Sequence, residues 1–491
     1  MSISFNSLPA TLRTPFVGVE FNSSQAQQGP ALLAYRGLLI GQKLTTGSAT
    51  PDTVVGPVTS VDQAIALGGR GSMIHRMAIG WFASNKITEL WIGVLADAAA
   101  GVAATGTIVV GGPATASGAI PLYLGGVRIP VGVTLNDAST AIATNIGAAI
   151  NAVPDLPVTA TVNASTVTLT FRQKGLPGNS YDVRQSFNPG EALPAGVTLT
   201  ITALAGGTTN PSLTNLIAAM GDLWFQVWAH PYTDATSLSA IEAELLSRFG
   251  PMRSMDGIAI TSASGVLSTL TTLGTGRNSG QSVIVAQPGA APLTPPMEFA
   301  AEVAAILARE GATDPARPFQ TLAMVNAMPT AQADQWSGDE RNLLLFSGIA
   351  TTKLAAGGAV QLERMITTYQ RSAAGSPDTA YLDATTLLTL LYLRYSFRVL
   401  FQNKYPRHKL ADDGTRFAPG QAVMTPSLGE AEALTWFRDM EKLGLVENFE
   451  AFKANLVVAR SSTDPNRLEF LLPNDLINSL IVVAASLGFR L

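Results

Sequence analysis

Of the 491 residues none is cysteine and only three are histidine. Without cysteine there is no disulfide framework and no thiolate nucleophile. His75, His230 and His408 fall in no HExxH or comparable metal spacing, so each is expected to be satisfied or exposed rather than a ligand. Charge is also scarce, at 13% of residues, against about 25% in ordinary soluble proteins. The formal net charge of −4 gives no field for nucleic acid or an anionic membrane. The longest apolar run, Leu476 to Phe489, is broken by Asn478, Ser479 and Ser486, and nothing reads as a membrane span. The first residues, MSISFNSLPATLRTP, have neither a basic nor an apolar region of a signal peptide, so synthesis and assembly in a cytoplasm are expected. With 47% hydrophobic residues and so few charges, either much surface is covered by other subunits or the chain is simply rich in Ala and Gly; composition leaves both open.

Catalytic patterns are missing as well. Gly37-Leu-Leu-Ile-Gly41-Gln42-Lys43 has the wrong spacing for a phosphate loop and sits in an apolar strand. Gly68-Gly-Arg-Gly-Ser72 could offer free amides to an anion, but a tight turn with Ser72 as helix cap explains it better. Ser262, Ser264 and Ser279 lie in no nucleophile setting, and no histidine is placed to activate them. The pairs Asp339/Glu340 and Asp412/Asp413 flank loops and read as solvated or salt-bridged. No catalytic, cofactor or metal site is expected.

The chain is organised as an α/β protein with an interruption. Residues 1–30 form a polar arm with one alternating piece, Phe16 to Phe21. From Ala31 an apolar strand, two helices (Ser60 to Leu67, Ser72 to Asn85) and a strand (Glu89 to Leu95) follow. Between about 98 and 207 the chain turns Gly/Thr/Val-rich with period-two runs and one helix, Ala138 to Ala149, as in a small β-rich domain. After Asn210-Pro211 the strand–helix rhythm resumes to about residue 313, which calls for a mostly parallel sheet covered on both faces. The segment 314–475 mixes helices and strands, including an amphipathic helix Leu428 to Leu443. The tail, 476–491, is long enough for a further strand.

One stretch, VQLERMITTYQRSAAGSPDTAYLDATTLLTLLYLRYSFRVLFQNKYPRHKL (360–410), carries the most information. It reads as a strand running to ITTYQ, a break at Gly375 to Asp378, and a helix of about 20 residues capped by Asp383. That helix is apolar almost all round, with a polar row of Arg394, Arg398 and Gln402, so it is expected to be covered on nearly every side.

This strand, loop and aromatic-basic helix end, with the later DPNR turn at Asp464 and the closing Phe489-Arg490-Leu491, resemble contractile phage tail sheath proteins of the Mu-like type. The resemblance implies a subtilisin-like core split over 31–97 and 208–313, an outer insertion at 98–207, and an α+β domain at 314–475 facing an inner tube. It implies a structural subunit that needs no cofactor, stacked as hexameric rings around a tube protein and meeting baseplate and tail terminator proteins, without direct nucleic-acid contact or membrane insertion. Location in the virion follows, after assembly in the host bacterial cytoplasm. Terminal arms that pair with neighbouring copies would use Phe16, Val17, Val19 and Phe21 at one end and Ile481, Val483, Phe489 and Leu491 at the other. Tube-facing charges would be Arg407, Lys409, Arg438 and Lys442. The alternative is an α/β nucleotide-binding protein or enzyme with an appended β domain.

Overall fold

The computed structural model describes residues 33–490. The chain begins with β1 (Arg36–Gln42), β2 (Thr53–Val58), α1 (Val61–Gly68), α2 (Met73–Ser84) and β3 (Glu89–Leu95). The sequence places β3 to the residue. Ser60 and Ser72 cap α1 and α2, accepting from the amides of Gln63 and His75. Strand β2 was not expected. Its Pro57 weakens the strand signal, and it pairs antiparallel to β3 as the sheet edge, where a missing amide is tolerated.

The β-rich segment follows as β4 (Ala103–Gly111), β5 (Gly118–Leu124), β6 (Val127–Val133), α3 (Ser139–Asn151), β7 (Val158–Asn163), β8 (Thr166–Lys174), β9 (Val183–Gln185) and β10 (Thr198–Ala205). The apolar run from Ile120 to Ile129 is divided into the hairpin β5–β6, because Gly125 and Gly126 turn the chain at φ 54° and 78°. These strands make two sheets, β10-β4-β8-β7 and β6-β5-β9. In the first, Ile108, Val167 and Leu169 face a core. On the opposite face Thr202, Thr107, Thr168 and Thr161 lie in one row across four strands, with Thr105, Thr170 and Thr159 in the next.

The α/β rhythm then resumes through α4 (Thr214–Met220), β11 (Val227–Ala229), α5 (Ala235–Phe249), β12 (Ile258–Gly265), α6 (Leu267–Thr275), β13 (Ser282–Pro288) and α7 (Pro296–Thr313). The six core strands lie in the order β13-β12-β11-β1-β3-β2, all parallel except β2. Successive β1 residues serve opposite faces. Leu39 packs with Ile74, Met77, Val303 and Leu307 of α2 and α7, whereas Leu38 and Ile40 pack with Leu216, Ile241 and Leu245 of α4 and α5. Helices therefore cover both faces, as a parallel sheet requires.

Helices α2 and α7 approach so closely that a Cβ at Gly80 would strike the Glu298 carbonyl. There Arg76 pairs with Glu298 at 2.6 and 2.9 Å, their side chains 8% and 2% exposed. Burial pushes the Glu298 carboxyl up while Arg76 pulls it back.

The remainder comprises α8 (Gly338–Phe346), β14 (Thr351–Leu354), β15 (Val360–Arg364), α9 (Ala384–Lys404), β16 (Lys409–Leu410), β17 (Val423–Met424), α10 (Pro426–Lys442), β18 (Val446–Glu447), α11 (Phe449–Asn455), β19 (Val457–Arg460), β20 (Leu468–Leu471) and β21 (Asp475–Leu476). The expected strand to ITTYQ stops at Arg364, leaving only a bridge from Ile366 to Asp383. Asp383 occupies the N-cap position of α9, but its carboxylate pairs with Arg364 at 3.0 and 3.1 Å instead of capping. The tail from Ile477 on forms no strand within its own subunit.

One histidine departs from expectation. His230, after β11, is wholly buried beside Tyr232, and neither ring nitrogen makes a well-formed hydrogen bond. Burial lowers its pKa from 6.5 to about 4. The folded form thus binds fewer protons than the unfolded between those values, and the stability contribution present above pH 6.5 is lost as pH falls toward 4. Asp256, raised to about 6 by burial, works in the opposite sense, so the comparison must be with a variant. His230→Phe should lose about 2 kcal/mol less than the parent on going from pH 7 to pH 5 in urea titrations. A second expectation concerns the buried pair. Arg76→Leu, which leaves the Glu298 carboxylate without its cation, should cost about 3–5 kcal/mol at pH 7. The cost should shrink at lower pH as Glu298 protonates, and Arg76→Leu/Glu298→Leu should recover most of it.

Candidate interaction surface

In a sheet of this kind a small ligand would sit beyond the carboxyl ends of β1 and β11, where the strand order reverses. Gln42, at the end of β1, donates to Asp97 at 2.6 Å and to the Lys174 carbonyl at 2.9 Å, and accepts from the Tyr232 hydroxyl at 3.3 Å. The root of the insertion is thus tied to the end of β1, and beside it a cavity of about 240 Å³ opens at the ends of β11 and β12, lined by Pro231, Thr233, Ser262 and Tyr181. Among the described residues no cluster of His, Asp and Glu could hold a metal, and no helix is long and apolar enough to cross a membrane.

The open features lie at the end of the chain. Helix α9 is buried through its first half, at Leu387, Leu388 and Leu391, but Val399, Leu400 and Phe401 are only half-buried. The expected cover on nearly every side is therefore absent from the second half within this subunit. There Phe397, Phe401 and Tyr405, with Leu468 and Phe470 of β20, wall a groove of about 410 Å³. Phe470 meets Phe397 and Phe401 edge-on at 5.4 and 5.1 Å. The sequence reading missed this groove. Its signal was the aromatic spacing at 397, 401 and 405, read there as core. Strands β19 and β20 pair only with each other among the described residues, so both outer edges keep unpaired backbone groups.

The tail leaves beside this hairpin. Leu476 pairs with Val446, and the Leu480 carbonyl accepts from the Gln320 side chain at 3.2 Å. Ile481 is half-buried against a site lined by Phe319 and Asp383. From Val482 onward the chain is exposed: Val483 is 77%, Leu487 96% and Phe489 85% accessible. Val483, Ala485, Leu487 and Phe489 would share one face of a strand, with Val482, Ala484, Ser486, Gly488 and Arg490 on the other. Phe16, Val17, Val19, Phe21 and Leu491 lie outside the described residues.

The four candidate charges do not converge. Arg407 and Lys409 are exposed near the amino end of α10, where Lys409 donates to Gln421 at 2.9 Å. Arg438 and Lys442 stand at its carboxyl end, roughly 20 Å along the helix. Arg438 pairs with Glu441 at 2.8 Å and lies 3.3 Å from the Phe449 ring centre, and Lys442 pairs with Asp439 at 3.0 Å.

Comparisons with known proteins bear on this surface. The family model described as phage tail sheath protein central domain matches residues 206–368, and that described as phage tail sheath C-terminal domain matches 376–490. The tail sheath protein of the Mu-like prophage FluMu of Haemophilus influenzae is 39% identical over 491 residues, covering 100% of both chains. A sheath tail protein of Desulfitobacterium hafniense is similar in structure at 12% identity and a TM-score of 0.48, over 94% of this chain and 97% of the other. The contracted sheath complex of an extracellular contractile injection system matches at 7% identity and a TM-score of 0.49, over 98% and 99%. The sequence matches decide the matter: this chain belongs to the phage tail sheath family, of the Mu-like type, and is a structural subunit of a contractile tail sheath rather than an enzyme.

Proposed function

We propose that this subunit stacks as hexameric rings around an inner tail tube and contracts to drive that tube through the host cell envelope. The observations that carry the proposal are the exposed apolar tail beyond Ile481 and a separate hairpin, β19–β20, with two unpaired edges. A strand with free amides and carbonyls recruits another chain through its backbone, and alternate side chains set the register. Arms at both ends of the chain, 1–21 and 482–491, link neighbouring copies in this way. The work of contraction comes from free energy stored at assembly, so no cofactor enters. The sheath meets baseplate and tail terminator proteins at its two ends, is put together in the host bacterial cytoplasm and travels in the virion.

The division of labour along the chain follows the same reading. The split unit, 31–97 with 208–313, is a subtilisin-like core, supported by the strand order and the helices on both faces. Residues 98–207 are an outer domain; in support, the chain enters and leaves side by side, with Val102 and Thr208 exchanging both backbone hydrogen bonds at 3.1 Å. Its apolar residues are nonetheless continuous with the core, Leu169 and Phe171 belonging to the same cluster as Ile74. Residues 314–475 face the tube, with Arg407, Lys409, Arg438 and Lys442 in contact with it.

Removing residues 482–491 should leave a monomer with the parent's unfolding midpoint that forms no sheath under electron microscopy; full-length sheaths from the shortened protein would show that this arm is not a link. Arg407→Glu/Lys409→Glu should lower the yield of sheath on tubes, more at low than at high salt, with the subunit fold intact by circular dichroism. Equal yields at every salt concentration would remove these residues from the tube interface.

A further inference from the structure

Helix α9 belongs to two hydrophobic cores at once. Its early turns, Ala384, Leu387, Leu388 and Leu391, are buried in the cluster that holds Leu39, Ile74 and Ile306 of the sheet and its helices. Its later turns, Leu393, Phe397 and Leu400, lie with Trp436, Phe437 and Phe452 in a separate cluster built from the end of the chain. Among the described residues, none from α10, α11 or β18–β21 enters the first cluster. The terminal unit is therefore fastened to the sheet chiefly through one helix, with lesser contacts at Ala316 and where the tail meets Gln320 and Phe319.

At the crossover between the clusters that helix is gripped. Arg394 donates to Asp256 at 2.7 Å and to the Phe249 carbonyl at 2.6 Å, with its guanidinium 4.7 Å from the Phe249 ring centre. One turn later Arg398 lies 5.5 Å from the Trp224 ring centre and reaches the Ser254 carbonyl at 3.4 Å. Tyr395 packs against Trp224 at 5.9 Å, and the Trp224 indole donates to the Asp256 carbonyl at 2.7 Å. Residues 394, 395 and 398 thus hold the two loops that lead into β11 and β12. Asp256 is 2% exposed, so the Arg394 contact is a charged pair with one partner out of water.

A planar guanidinium that stacks on a ring and bonds two acceptors fixes direction as well as distance, which a lysine does not. The helix has no Gly or Pro between Ala384 and Lys404, and its 21 residues span about 31 Å. Such a helix bends little over that length. We propose that α9 is a rigid beam making the terminal unit and the sheet one mechanical body, and that Arg394 and Arg398 are the joint that holds its angle. Because the outer half of the same helix walls the aromatic groove, a pull applied there reaches the sheet through this joint. That last consequence rests on the sheath reading; the coupling itself does not.

The test uses the full-length, unpolymerised subunit, so it is independent of whether the arms link copies. In the parent, calorimetry should give one transition, and hydrogen exchange should show peptides from 426–456 and 296–313 losing protection together. In Arg394→Gln/Arg398→Gln the terminal peptides should open first, in a separate transition at lower temperature. Two transitions already in the parent, or one unchanged transition in the variant, would overturn the proposal. Should the double variant aggregate, Arg398→Gln alone is read by exchange: opening of 426–456 relative to 296–313 should rise about tenfold, and an unchanged ratio would overturn it. Arg394→Lys should behave like Arg394→Gln; full retention of coupling by the lysine would show that charge alone, not the stacked fork, makes the joint.

Discussion

The double burial of β1 is the constraint from which most of this molecule follows. Leu38, Leu39 and Ile40 are at most 1% exposed, yet they point to opposite faces. Neither face can be left to water, so the helices between the strands must supply two separate covers. The cover formed by α2 and α7 is drawn in tightly, with Gly80 against the Glu298 backbone and Trp81 against Gly37. That close fit excludes water from the Arg76–Glu298 pair and makes its loss expensive. At the carboxyl end of the same strand Gln42 binds the Lys174 carbonyl, so β1 also anchors the root of the insertion.

Much of this was legible from the sequence, because it is set by signals only a few residues apart. Helices α1 and α2 start at Ser60 and Ser72 as their caps demand, whereas Asp339 and Glu340, read as flanking a loop, lie in the first turn of α8, where Glu340 completes a capping box with Ser337. What was not legible depends on partners far along the chain. Strand β2 exists because β3 offers an edge, and β9 is three residues that β5 recruits. Asp383 has the position of a cap but answers to Arg364, nineteen residues earlier. His230 is buried without a well-formed hydrogen bond by packing that no local pattern records. Among the candidate interaction residues, the tail pattern was visible, but the clasp of Gln320 on Leu480 that moves the free part to 482 was not. The apolar surround of α9 was read as a demand for cover; the sequence alone does not say that the second half of the helix stays half-buried within the subunit.

Few charges are present, and several are spent inside the subunit. Arg248 with Glu244, Arg277 with Glu242, Arg341 with Glu363 and Arg394 with Asp256 are all substantially buried pairs. Apart from Arg248 with Glu244, which lies within α5, they tie one element to another and fix angles between them, which is the service a planar guanidinium performs best.

The threonine rows on the sheet β10-β4-β8-β7 show what an exterior of this kind amounts to. Thr202, Thr107, Thr168 and Thr161 present hydroxyls and methyls in alternation, with no fixed charge in the row. Such a row is wetted by hydrogen bonding rather than by charge, and the charge on this face is confined to Arg172 and Lys174 toward one end of β8.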